Sequence, residues 1–239
     1  MKKMFILCLI SVLFFACEPS AKYIKRVQSL EEGVSNPTTI EELKVAIKKY
    51  KNRVEDVVAA ESQIGIWYKI LGSRYLDKKM YGEALKSFEK AIEIYPTNSN
   101  LYYYVGVCAG YMAIASLDYD ARGSNTQRMN YLKLAENAYI RAIELEPLYA
   151  RALYGLGVLY VFELNENQKA IPLLEKLLEI EKNHFDGMMV LARAYYSLYE
   201  FDKAVNLYDK IIEKTTSSEK KAEAEVNKKI VLDTIYEMQ

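Results

Sequence analysis

The sequence predicts an all-α fold, a helical solenoid of stacked helix–turn–helix pairs with a capping helix at each end. Two observations carry this. Small and apolar residues recur at helical spacing in paired segments, and the paired segments themselves recur along the chain, with Pro96 and Pro147 standing where second segments end. One such pair cannot bury its apolar face alone and must stack on copies of itself.

The chain opens with Lys2 and Lys3, followed by an uncharged run from Met4 to Ala16. That run is shorter than the roughly 20 helical residues a bilayer core requires, so residues 1–16 read as a secretory signal peptide. Phe14-Phe15-Ala16-Cys17 resembles a bacterial lipobox, which implies a lipidated Cys17 as the first mature residue, with two Phe as departures from the usual box. Residues 17–37, rich in Ser, Pro and mixed charge, then form a tether to the membrane through the lipid anchor.

Thr38-Thr39-Ile40-Glu41-Glu42, after Asn36-Pro37, opens a helix expected to run to about Val57. Its Leu43, Ala46 and Tyr50 make residues 38–64 an amino-terminal capping region. Lys44, Lys48, Lys49 and Lys51 alternate with Glu41, Glu42 and Glu55 as a solvated face.

The first full pair, 65–98, carries Tyr68, Leu71, Gly72 and Tyr75 on one helical face and Ala84, Phe88 and Ala91 on the next, closed by Pro96. Gly72 and Ala84 are small where two helix axes must approach. The set resembles the tetratricopeptide repeat (TPR), whose period is about 34 residues. The resemblance implies a right-handed solenoid and extends down the chain. Residues 99–149 show Tyr102, Val105 and Gly106, then Ala135, Tyr139, Ala142 and Pro147, with lengthened helices and a loop at Asp120 to Asn125. Residues 150–184 show Leu153, Leu156, Gly157 and Tyr160, then Ala170, Leu174 and Leu177 after one extra residue. Residues 185–216 show Met188, Leu191, Ala192 and Tyr195, then Ala204, Tyr208 and Ile211. Lys182 and Thr216 replace the closing Pro, and Leu177 and Ile211 replace a small residue. Thr216-Ser-Ser-Glu219 has capping-box spacing before a last helix, 217–239, expected to turn Ala222, Val226, Ile230 and Ile235 inward.

Acidic and basic residues balance at 32 each, so nothing in the charge points to nucleic acid. The lone histidine, His184, falls in a turn where capping is its expected role, and with Cys8 in the signal segment and Cys17 lipidated, Cys108 and His184 are too few to supply a metal site, and no cofactor is expected. Gly155-Leu-Gly157 lies in a helix with no strand before it, unlike a phosphate loop. No catalytic constellation is present, and an enzyme is not expected. Cys108 on an apolar helix reads as a buried thiol. The segment Leu101 to Leu117 carries no charge, which in the middle of a repeat array means burial by protein.

In the family resembled, the first helices line a concave groove. Carried onto this sequence, the groove places hold Tyr103, Val107 and Tyr111, then Arg151, Tyr154 and Phe162, then Arg193 and Tyr196. Tyr and Arg combine rigid area with a polar tip and anchor many interfaces. The expectation is an adaptor lipoprotein of the bacterial envelope, on the periplasmic or outer-surface side, that binds a segment of an envelope protein or peptide. The alternatives are an accessory lipoprotein of a transporter, closing a small hydrophobic ligand around Tyr103 to Tyr111, and a structural protein that self-associates through the second repeat.

Overall fold

The computed structural model describes residues 37–116 and 125–238. Among them the regular elements are helices: α1 Ile40–Asp77, α2 Tyr81–Ile94, α3 Ser99–Ala115, α4 Thr126–Leu145, α5 Ala150–Val158, α6 Asn167–Ile180, α7 Phe185–Ser197, α8 Phe201–Lys214 and α9 Ser218–Glu237. A wide helical turn, Leu159–Glu163, extends α5. The signal segment 1–16, Cys17, the tether up to residue 36, and residues 117–124, which include the loop expected at Asp120 to Asn125 except for Asn125, lie outside the described residues.

The chain forms two units, one ending at Ala59 and one beginning at Ala60. In the first, a reciprocal cap starts α1: the Glu42 amide donates to the Thr39 hydroxyl, and the Glu42 carboxylate accepts from the Thr38 and Thr39 amides. Those bonds hold the Glu42 carboxyl below the ordinary carboxylate range, the Thr38 amide contributing most. The helix then runs through residue 57, where the sequence reading ended it. Residues 58–64 are Val, Ala, Ala, Glu, Ser, Gln and Ile, with neither Pro nor Gly to stop propagation.

In the second unit each helix from α2 onward packs on the next, and α3 packs on α5, α5 on α7 and α7 on α9. Alternate helices therefore form an inner wall, the arrangement of a solenoid. Close approach depends on small residues: a Cβ at Gly72 would sit 2.8 Å from the Phe88 ring, one at Gly106 2.7 Å from Tyr139, and one at Gly157 2.6 Å from Leu174. A polar ladder repeats over the same unit. The Tyr160 hydroxyl donates to Glu136 with Lys169 over its ring, and the Tyr195 hydroxyl donates to Glu175 with Lys203 over its ring.

The turns recur too. Lys79, Asn165 and Tyr199 all take left-handed φ, at 58°, 54° and 61°. The Met80 amide closes back on the Tyr75 carbonyl and the Glu200 amide on Tyr195, five residues apart, whereas the Glu166 amide reaches six residues to Tyr160. The extra residue of the third repeat is thus absorbed by the wide turn, as single-residue insertions in helices commonly are.

Helix α3 ends at Ala115, with Asn125 capping α4 by accepting from the Arg128 amide. The expected facing and cap of α9 change. In α9 the buried residues are Ala224 and Val231, with Ile235 half-buried, while Ala222, Val226 and Ile230 face solvent. With Ala224 and Val231 turned inward, Lys220 reaches Asp186 at 2.5 Å and Lys228 reaches Asp209 at 2.6 Å. Its N-cap is Ser217, which accepts from the Lys220 amide, rather than Thr216.

Candidate functional site

One face of α3 and one face of α5 meet over Tyr139 of α4 to form an open pocket of about 340 Å³. Helix α3 contributes Tyr103, Val107, Gly110, Tyr111 and Ile114, α5 contributes Arg151, Tyr154, Gly155 and Val158, and the wide turn adds Leu159 and Glu163.

Two glycines make the space. A Cβ at Gly155 would lie 2.8 Å from the Tyr139 ring, so the α5 backbone rests on that ring and leaves it visible from the pocket; a Cβ at Gly110 would meet nothing within 4 Å. The uncharged α3 is accounted for in the same way. Leu101, Val105, Cys108, Ala109 and Ala113 are buried against neighbours, and the remaining side is the pocket wall. Among the described residues no helix is long and apolar enough to cross a membrane.

The tyrosines are held in place before anything binds. Tyr111 stacks on Tyr81 at 4.5 Å, and Tyr103 packs against Tyr149 at 5.5 Å and Tyr139 at 6.2 Å. The Asn100 amide nitrogen donates to the Tyr149 hydroxyl at 2.7 Å. Tyr154 lies 4.9 Å from His184, whose Nδ1 accepts the Gly187 amide and caps α7.

Burial pushes the phenols of Tyr103, Tyr154 and Tyr139 above their ordinary value; Arg151 draws Tyr103 partly back, and Asp186 adds to the rise at Tyr154. They remain neutral hydrogen-bonding groups at physiological pH. Glu163 is paired with Arg128. Arg151 has no ion-pair partner among the described residues and stands exposed at the pocket edge. The pocket is therefore apolar-walled with a cation that has no counter-charge among the described residues, chemistry that receives a bulky apolar group next to an anionic one. Among the described residues no group of His, Cys, Asp and Glu is placed to hold a metal. The Cys108 thiol is buried and pushed up to about 12 by burial, which leaves it unreactive.

The pocket unites Tyr103, Val107, Tyr111, Arg151 and Tyr154 and leaves out three residues predicted to share the groove. Phe162 is 57% exposed and off the lining, because the inserted residue turns the helix after Leu159 and brings Glu163 to the place Phe162 was expected to hold. Arg193 lies over the Tyr196 ring at 5.6 Å, and Tyr196 meets Thr234 of α9 at 3.2 Å and the Phe201 ring at 5.7 Å. Sequence reasoning placed Tyr139 in the core, where it is buried, but missed that its ring also floors the pocket, and missed the use of Gly110 and Gly155. The signal was present: two glycines at non-repeat positions of facing helices.

Three family models described as tetratricopeptide repeat match residues 66–98, 127–182 and 161–222. A TPR repeat-containing protein of Borreliella burgdorferi (strain ATCC 35210 / DSM 4680 / CIP 102532 / B31) is 26% identical over 226 residues, covering 92% of this chain and 95% of the relative. Among solved structures, TTC0263, a thermophilic TPR protein of Thermus thermophilus, is 20% identical, with 80% of this chain and 92% of that one covered and a TM-score of 0.55. YrrB, described as a TPR protein with an unusual peptide-binding site, is 23% identical, covers 78% and 84%, and has a TM-score of 0.53. MamA is 23% identical, covers 81% and 98%, and has a TM-score of 0.52. These structures share the fold.

Proposed function

We propose, from the premise that this chain belongs to the tetratricopeptide repeat family, that it is a non-enzymatic adaptor which holds an extended segment of another protein in the pocket between α3 and α5. The observation that carries this is a preformed wall of Tyr103, Tyr111, Tyr139 and Tyr154 beside the unpaired cation of Arg151. The segment presents a bulky apolar side chain to the tyrosines and a carboxylate to Arg151. The pocket opens to solvent along the inner wall, which suits a chain passing through better than a small molecule that must be enclosed. Lipidation at Cys17 anchors this adaptor to a bacterial membrane, on the periplasmic or outer-surface side, with an envelope protein as partner. The lipobox-like ending of the uncharged leader supports that part.

The test fills the pocket without touching the core. Gly110→Leu places a side chain in open space and removes a helix-interior glycine, so it should leave the fold intact or slightly firmer, by about 0.5–1 kcal/mol. A photo-crosslinker at Tyr111 should attach to a protein in cells, and Gly110→Leu or Arg151→Ala should abolish the adduct. An adduct indifferent to both changes sinks the site, and an adduct of small-molecule mass moves the reading to a ligand carrier. Fatty-acid labelling should disappear in Cys17→Ala; label that persists removes Cys17 as the anchor.

A further inference from the structure

Six apolar residues of the first half of α1 are spaced three and four apart, Ile40, Leu43, Ile47, Tyr50, Val54 and Val57, with Val45 and Val58 outside that stripe. That is a heptad seam with Ile40, Ile47 and Val54 at a positions and Leu43, Tyr50 and Val57 at d positions. All six are exposed, from 39% at Tyr50 to 66% at Ile40. A helix with such a face exposed is stabilised by burying it against a partner.

We propose that residues 40–57 pair with the same residues of a second copy of this chain as a parallel, in-register two-stranded coiled coil. The β-branched a positions Ile40, Ile47 and Val54 and the Leu at the leading d match the two-stranded pattern, while Tyr50 and Val57 at the later d positions depart from it. The rim charges select the direction. Lys44 and Lys51 occupy e positions, and parallel pairing sets them against the uncharged g positions Thr39 and Ala46 of the other copy. Antiparallel pairing would set Lys44 against Lys51. The seam stops where the next a position is Glu61, a carboxylate that would face its own copy.

Area is sufficient as well. At their present exposure the six side chains offer on the order of 600 Å² per copy, which brings two copies to about the 1,200 Å² where stable interfaces begin. A lipid surface fits less well. Glu41, Glu42, Glu55 and Asp56 nearly offset the basic residues of this stretch, leaving little net attraction to anionic headgroups.

Sedimentation equilibrium of the full-length chain should give twice the chain mass. Ile47→Asp with Val54→Asp should weaken the dimer at least 100-fold while helicity and the melting of the repeats stay unchanged, because both residues are exposed. Leu43→Cys should form a disulfide with its own copy under mild oxidation that the wild-type chain does not form. A monomeric mass at about 50 µM overturns the proposal. So does failure of Leu43→Cys to crosslink, or a monomer that co-pellets with anionic vesicles through Ile47 and Val54.

Discussion

The inner wall is open between α3 and α5 and closed between α7 and α9, although both are pairs of first helices at equivalent places in the array. At the open end Gly110 and Gly155 stand where side chains would meet, so Tyr103, Tyr111 and Tyr154 border empty space. At the closed end Arg193 covers Tyr196, Tyr196 meets Thr234, and Lys220 ties α9 to Asp186. Groove position alone therefore does not create a site; the residues that are missing across the way do.

Raising the pH should have the largest effect, and at both ends. Burial raises the phenols of Tyr103, Tyr139, Tyr149, Tyr154 and Tyr160 around the open half, and of Tyr195 and Tyr208 in the closed half, above the ordinary 10.0. A phenol whose folded value is raised contributes stability that is whole below pH 10 and is lost as pH climbs past the unfolded value toward the folded one. Denaturation midpoints should hold steady to about pH 9 and fall as pH rises past about 10. A midpoint unchanged at pH 11 breaks the account of the tyrosine wall.

Gly106→Ala comes next in size. Its Cβ would press within 2.7 Å of the Tyr139 ring, so thermal unfolding should report a loss of about 1–3 kcal/mol, and the displaced ring should spoil the pocket as well. The contrast with Gly110→Leu, one turn along the same helix and predicted to firm the fold, is a sharp test of which glycine packs and which makes room. Smallest is Tyr196→Phe, which removes the hydroxyl that meets Thr234. It should cost about 0.5–1.5 kcal/mol, seen as faster hydrogen exchange in α9, with adduct formation at Tyr111 unaltered. Loss of the adduct would show that the closed end takes part in binding.

Much of this was legible in the chain. Tyr68, Gly72, Ala84, Phe88 and their later counterparts declare paired helices because each position has a packing duty at a set spacing. Even the extra residue before Ala170 was countable, and so were the grooveward places of Tyr103, Tyr111, Arg151 and Tyr154. Packing decided the rest. The wide turn Leu159–Glu163 exchanged Glu163 for Phe162, a rotation that no count of residues reveals, since an insertion can be absorbed in a helix or in a loop. The facing of α9 put Ala224 and Val231 inward and Lys220 and Lys228 within reach of two carboxylates, although Ala222, Val226 and Ile230 made an equally good stripe. Local periodicity is a property of one segment and is written in it. A pocket, a helix rotation and an uncovered seam depend on what the opposite segment lacks, and that is known only when both are in place.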